Sequence, residues 1–377
     1  MSRFLDLITT PVRELGCYAP APQASRSVQG GSLIRLDSNE NPLGPSPRAV
    51  EAIQRALEDS HLYPDHDCTV LAAKLSDIHE ISADQILVTT GSTSMLSLLC
   101  HTVLAPGLNA VTSEKSFIVY GMAVRATGAG LIQTPVRSDG FDLAAILKAI
   151  NDRTRLVLLA NPNNPTGSML NADELEQFLD RVPEHVVVVL DEAYYEFAAH
   201  FAERRRIEYS RSLSYVRQDA SVVVLRTFSK AHGLAGLRIG YGLGPAELMA
   251  YCRRVQDAYS VSSVAQAAAL AALDDMDHVV RSVSHNAEQA QVLEAGLSQF
   301  DFRTVPTWAN FIYCDLHHDA AALSGRLLEQ GISVRPLGAW GAPACIRVSV
   351  GTAEQNRALL MAISKATRHN SGFLGVP

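Results

Sequence analysis

The segment Arg226-Thr227-Phe228-Ser229-Lys230-Ala231-His232-Gly233-Leu234-Ala235-Gly236-Leu237-Arg238 carries the residues of this chain best suited to chemistry. Only five lysines occur, and Lys74, Lys115, Lys148 and Lys365 lie in stretches that read as solvated helices or loops. Lys230 instead follows a strand-like apolar run and sits among small hydroxyl-bearing and glycine residues. Hydroxyls three and one residues before it, at Thr227 and Ser229, and an arginine eight residues after it, Arg238, make a cradle for a dianionic phosphate. A lysine at the edge of such a cradle can condense with an aldehyde to form a Schiff base.

Three further segments place polar groups directly after apolar runs. Asp191 follows Val186–Leu190, so it falls at the carboxyl edge of a buried strand, where open α/β sheets bind their ligands. A carboxylate held there can pair with a protonated ring nitrogen and preserve its charge, as an electron-accepting pyridinium requires. In Asn161-Pro-Asn-Asn164-Pro-Thr-Gly167, two prolines and a glycine fix a turn that holds the Asn164 amide in one position. Thr90-Gly91-Ser92-Thr93, between a strand and a helix, points backbone N–H groups and a hydroxyl at an anion. Gly240-Tyr-Gly242-Leu-Gly244 superficially matches a dinucleotide fingerprint, but no strand precedes it at the required spacing.

The elements that must position these groups alternate along the chain. Ile86–Thr90, Leu156–Ala160, Val186–Leu190 and Ser221–Leu225 are short, apolar and β-rich, and each is separated from the next by enough residues for a helix. That alternation predicts a mostly parallel, doubly wound sheet with helices on both faces. A helix is expected from Arg48 to about Glu58, and Pro, Gly and Ser before it read as an irregular arm over residues 1–47. A large domain is expected over 48–275 and a smaller α+β domain over 276–377, built on a long helix at Asp277–Gln299, strands at Phe302–Pro306, Phe311–Asp315 and Ile346–Val350, and helices at Ala320–Gln330 and Thr352–Thr367. The composition of 377 residues, 47% hydrophobic and 19% charged with a net charge of −7, is that of an ordinary globular chain. Without a basic block it offers nothing to neutralise nucleic-acid phosphates. The longest unbroken apolar run, Ala267–Leu273, is far too short for a bilayer. Six scattered cysteines, none at metal-binding spacing, point to reduced thiols, a cytoplasmic location and no metal.

Taken together these segments resemble the histidinol-phosphate aminotransferase family of fold-type I, pyridoxal-phosphate-dependent aminotransferases. The resemblance extends through Leu36-Asp-Ser-Asn39-Glu40-Asn41-Pro42, Tyr63-Pro64-Asp65, Ser116-Phe117-Ile-Val-Tyr120, Ala309-Asn310-Phe311, Val334-Arg335-Pro336-Leu337 and Ile346-Arg347-Val348-Ser349. It implies pyridoxal 5′-phosphate as cofactor, in a Schiff base with Lys230, which also shuttles the proton between the substrate Cα and the cofactor's C4′. That shuttling needs a lysine pKa brought toward neutrality, which Arg238 and the imine chemistry can together supply. By the same resemblance Asp191 pairs with the ring nitrogen, Asn164 and Tyr194 bond the ring oxygen and Phe117 stacks on the ring. Gly91, Ser92, Thr93, Thr227, Ser229 and Arg238 would hold the phosphate. Tyr63 would reach the cofactor of the neighbouring subunit in a homodimer. Arg335 and Arg347 would hold the anionic end of the substrate, with Tyr18 and Asn39 closing over it. The implied reaction transfers nitrogen between histidinol phosphate and 2-oxoglutarate, and relatives on this scaffold use phenylalanine or tyrosine, or decarboxylate phosphothreonine. Two positions depart from the pattern: Thr93-Ser94 stands where an acidic residue is common, and Lys115-Ser116 where a Pro-Thr pair is frequent.

Overall fold

The computed structural model describes Phe4, residues 7–17 and residues 33–368. Its larger sheet has seven strands, in the spatial order Ile86–Thr89, Gly240–Leu243, Val222–Thr227, Val187–Asp191, Thr154–Ala160, Asn109–Ser113 and Gly130–Thr134. All run parallel except Gly240–Leu243, which is antiparallel to both neighbours. The central strands are apolar throughout because both faces are covered. Val157, Leu159, Val188, Leu190, Val222 and Val224 pack under helices Thr69–His79 and Ser263–Leu273. The alternate residues Leu156, Leu158, Val189, Val223 and Leu225 pack under Ser92–Val103, Val119–Ala126 and Ala246–Arg254.

Four of these strands fall within two residues of the expected runs, and the other three lack an apolar run to mark them. Asn109–Ser113 carries only two apolar side chains, and Gly130–Thr134 is a partly exposed edge. Gly240–Leu243 is punctuated by glycine because its backbone lies against the start of helix Ser92–Val103. A Cβ on Gly240 would sit 2.6 Å from the Ser92 backbone nitrogen and 2.8 Å from the Arg226 carbonyl oxygen. The glycine repeat dismissed as a nucleotide fingerprint is therefore a strand made thin for close approach.

The smaller sheet orders Ile34–Leu36, Ile332–Leu337, Ala342–Ser349, Phe311–Asp315 and Arg303–Thr304. Its first pair is parallel and the others antiparallel. Helices Met276–Ser298, Ala320–Glu329 and Ala353–Arg368 cover it, with Leu293, Leu323 and Ile363 packed on Ile312, Ile346 and Val348. The first 47 residues are not wholly irregular. Thr10–Glu14 is a short helix, and Ile34–Leu36 is a strand whose Ile34 and Leu36 pair with Ile332 and Val334. Among the described residues no helix is long and apolar enough to cross a membrane.

Candidate active site

The carboxyl ends of the parallel strands open onto a cavity of about 280 Å³. Each wall follows from a strand end and the turn after it. Where Ile86–Thr89 turns into helix Ser92–Val103, Gly91 takes φ 87° and ψ 159°, a conformation essentially reserved for glycine. The turn presents Ser92 and Thr93 to the cavity at the N-terminal end of the helix, where backbone N–H groups lack helical partners. Opposite stand Thr227 and Ser229, whose hydroxyls bond each other at 2.9 Å. Arg238 reaches across, donating to Ser229 Oγ at 3.3 Å and to the Ala235 carbonyl at 2.9 Å. Its guanidinium lies against Gly91, where a Cβ would come within 2.6 Å of Nη2. Hydroxyls, helix-end N–H groups and a guanidinium converging on one place form an anion cup.

Lys230 lines the same cavity, and its Nζ donates to the Ser38 carbonyl at 3.2 Å and the Asn39 carbonyl at 3.1 Å. Removal from water, followed by the positive charges of Arg347 and Arg238, pushes this amine down to about 7, against the opposing pull of Glu40 and Asp191. Arg238 lowers it as expected, but it is not the largest cause. Burial is the main cause, and Arg347 precedes Arg238.

Asp191 ends strand Val187–Asp191 and is almost wholly buried. Its Oδ1 accepts from the Ala193 N–H at 3.2 Å, and its Oδ2 accepts from the Tyr120 hydroxyl at 3.0 Å. Burial pushes the acid up to about 6 while those two hydrogen bonds pull it back. Phe117 also lines the cavity and meets Tyr120 edge-on, with ring centroids 5.6 Å apart. The Asn164 side-chain oxygen accepts from Arg347 at 2.6 Å, and Tyr194 accepts from Asn39 Nδ2 at 2.9 Å. Arg335 and Arg347 face each other directly across neighbouring strands of the smaller sheet, both buried and both on the cavity wall.

Of the described residues the sequence singles out for the site, all line this cavity except Gly91, which lies against Arg238 at its edge, and Tyr63. Tyr63 is 83% exposed and stacks on Tyr259 outside it, at 4.7 Å between ring centroids. Tyr18 lies outside the described residues. Sequence reasoning missed Tyr120, Ser38, Glu40 and Trp340. Tyr120 had a signal, three residues after Phe117 and so on the same side of the turn that opens helix Val119–Ala126. Trp340, on a short helical turn between the strands of Arg335 and Arg347, had none.

Residues 32–363 match the family described as aminotransferase class I and II. A histidinol-phosphate aminotransferase 2 of Pseudomonas aeruginosa is 41% identical, covering 98% of this chain and all (100%) of that one. Its namesake in Pseudomonas fluorescens Pf-5 is 40% identical over 96% of this chain and 98% of its own. The crystal structure of a histidinol-phosphate aminotransferase from Sinorhizobium meliloti, in complex with pyridoxal 5′-phosphate, superposes with a TM-score of 0.88 at 29% identity, over 96% of this chain and 98% of that one. With the anion cup, the half-buried lysine and the strand-end acid in one cavity, and with this end-to-end similarity, the chain belongs to the histidinol-phosphate aminotransferase family of the class I and II aminotransferases.

Proposed function

We propose that this enzyme uses pyridoxal 5′-phosphate to transfer the amino group of L-histidinol phosphate to 2-oxoglutarate, a step of histidine biosynthesis. The observation that carries the reading is one cavity with two separate cationic walls, Arg238 in the anion cup and Arg335 with Arg347 on the other sheet, and Lys230 in the same space. The residues fit the cofactor. The cup's donors suit a phosphate ester, Gly91 leaves room for the guanidinium, and a buried carboxylate with no cation bonded to it among the described residues suits a protonated ring nitrogen. When bound, the cofactor supplies an aldehyde for amines and a ring that takes up electron density released from the substrate Cα.

The side chains then divide the work. Lys230, with a neutral amine available near pH 7, would take the proton from the substrate Cα and deliver it to C4′ of the bound cofactor. Asp191 would pair with the ring nitrogen, Phe117 would stack on the ring, and Asn164 and Tyr194 would hydrogen-bond the ring oxygen. Gly91, Ser92, Thr93, Thr227, Ser229 and Arg238 hold the phosphate. Arg335 and Arg347, with Tyr18 and Asn39, hold the anionic end of the donor and then the acceptor's carboxylate.

We assign residues 48–275 to a large cofactor-binding domain, 276–377 to a smaller one, and residues 1–47 to an N-terminal arm that joins the smaller domain. Exposed Tyr63 is read as completing the partner subunit's cofactor site in a homodimer, and the free thiols support a cytoplasmic location. The test is a single half-reaction followed by visible absorption of the cofactor-loaded enzyme. Rapid conversion to the amine form with histidinol phosphate, and not with phenylalanine, is the expected result. Conversion with phenylalanine alone moves the substrate to the aromatic class, and release of CO₂ from phosphothreonine instead makes the enzyme a lyase.

A further inference from the structure

Resting on the cofactor reading above, we infer that Tyr120 is a positioning residue that fixes the Asp191 carboxylate, and keeps it ionised, for the ring nitrogen. Tyr120 is 1% exposed, and its hydroxyl donates to Asp191 Oδ2 at 3.0 Å. The other oxygen is held by the Ala193 N–H at 3.2 Å, so the carboxylate is pinned at both ends while Asp191 still lines the cavity. The same tyrosine meets Phe117 edge-on at an interplanar angle of 86°, and its backbone N–H bonds the Phe117 carbonyl at 3.0 Å. One residue therefore ties the ring that stacks on the cofactor to the acid that meets its nitrogen.

The electrostatics explain why such a donor is needed. A buried carboxylate drifts toward its neutral form, and a neutral Asp191 cannot balance a ring cation. The groups facing it are Glu192, which raises its pKa, and Lys230, which lowers it. Tyr194 bears on the tyrosine itself. Burial and the nearby acid keep the Tyr120 phenol well above its ordinary pKa, so it remains a donor at every working pH.

The test uses the full-length protein carrying Tyr120→Phe, which keeps the ring and the Phe117 contact and removes one hydroxyl. Cofactor dissociation constants are measured by titration against pH, beside urea unfolding of the cofactor-free protein. The expected result is cofactor binding weakened by about tenfold or more, roughly the weight of a hydrogen bond to a charged group. The acid limb of binding also moves to higher pH, because losing the donor lets Asp191 protonate sooner. In an Asp191→Asn background the same substitution has little further effect on affinity, since Tyr120 acts through the charge. Unchanged affinity and limb with a lowered urea midpoint would make Tyr120 merely structural and overturn the inference, as would full additivity with Asp191→Asn. A wild-type protein that binds no cofactor, or whose bound cofactor cannot be fixed to Lys230 by borohydride reduction, defeats the reading underneath instead.

Discussion

Gly91→Ala separates the two duties of the anion cup. Gly91 holds φ 87° and ψ 159°, which an alanine reaches only with strain of about 1–3 kcal/mol. Its new Cβ would also stand 2.6 Å from Arg238 Nη2 and 3.3 Å from Cζ, and must push the guanidinium aside. The strain is present with or without cofactor, so it lowers the urea stability of the cofactor-free protein by about 1–3 kcal/mol. The displaced guanidinium loosens its bonds to Ser229 and Ala235, and it matters most when the phosphate is bound. There it removes a charge-assisted bond of about 1.5–3 kcal/mol, a roughly 10- to 100-fold loss of cofactor affinity. Arg238→Gln should reproduce the affinity loss without most of the stability loss. In the double variant the two affinity losses should overlap rather than add, because both remove the same contact. Tight cofactor binding by Gly91→Ala, at wild-type strength, would show that Arg238 is not part of the phosphate's hold and would refute the argument.

Three further outcomes are expected. Since Lys230 is pushed down to about 7, capture of cofactor by the cofactor-free protein should accelerate as pH rises through neutrality and level off above about pH 8. A rate still climbing toward the ordinary lysine range, measured by stopped-flow absorbance, would contradict it. Arg347→Gln removes the charge that most lowers this amine after burial, so that limb should shift to higher pH while the KM for histidinol phosphate rises and cofactor affinity holds; an unchanged KM counts against the substrate role. Glu192→Gln leaves buried Arg226, now bonded by Glu192 at 2.9 and 3.1 Å, without its counter-charge, and should cost about 3–5 kcal/mol in urea unfolding; a loss under 1 kcal/mol would mean the ion pair is dispensable.

The readability of this chain follows burial. The strand ending at Asp191 is apolar on both faces, so composition alone marks it, and the acid at its end stands out as the first polar residue of a buried run. Asn109–Ser113 does the same structural work with Asn, Thr and Ser in three of five positions. Thr112 and Ser113 bury their hydroxyls by bonding the Leu158 carbonyl at 2.7 Å and Thr134 Oγ1 at 2.9 Å. No periodicity rule sees a polar side chain whose partner lies on another strand. The cause of the low Lys230 pKa was illegible for a related reason. Sequence neighbours suggested Arg238, whereas the larger contributions, enclosure and Arg347, come from a fold that brings together residues more than a hundred positions apart.

Asn39 shows how the two sheets become one site. It adopts φ 55°, a conformation asparagine tolerates better than most side chains. Its backbone N–H bonds Ser349 Oγ at 2.7 Å, its Oδ1 accepts from that hydroxyl at 3.2 Å, and its Nδ2 donates to Tyr194 at 2.9 Å. Its carbonyl accepts from both Lys230 and Asn310, at 3.1 and 3.0 Å. A residue just past the first strand of the smaller sheet thus touches two of the reactive side chains on the larger one and the strand that carries Arg347. Each hydrogen bond of this knot is short-range, yet its partners are 155 to 310 residues away in sequence. The Leu36–Pro42 segment is therefore also a cross-link that sets the spacing between the arginine wall and Lys230. That spacing must match one substrate with an amine at one end and an anion at the other.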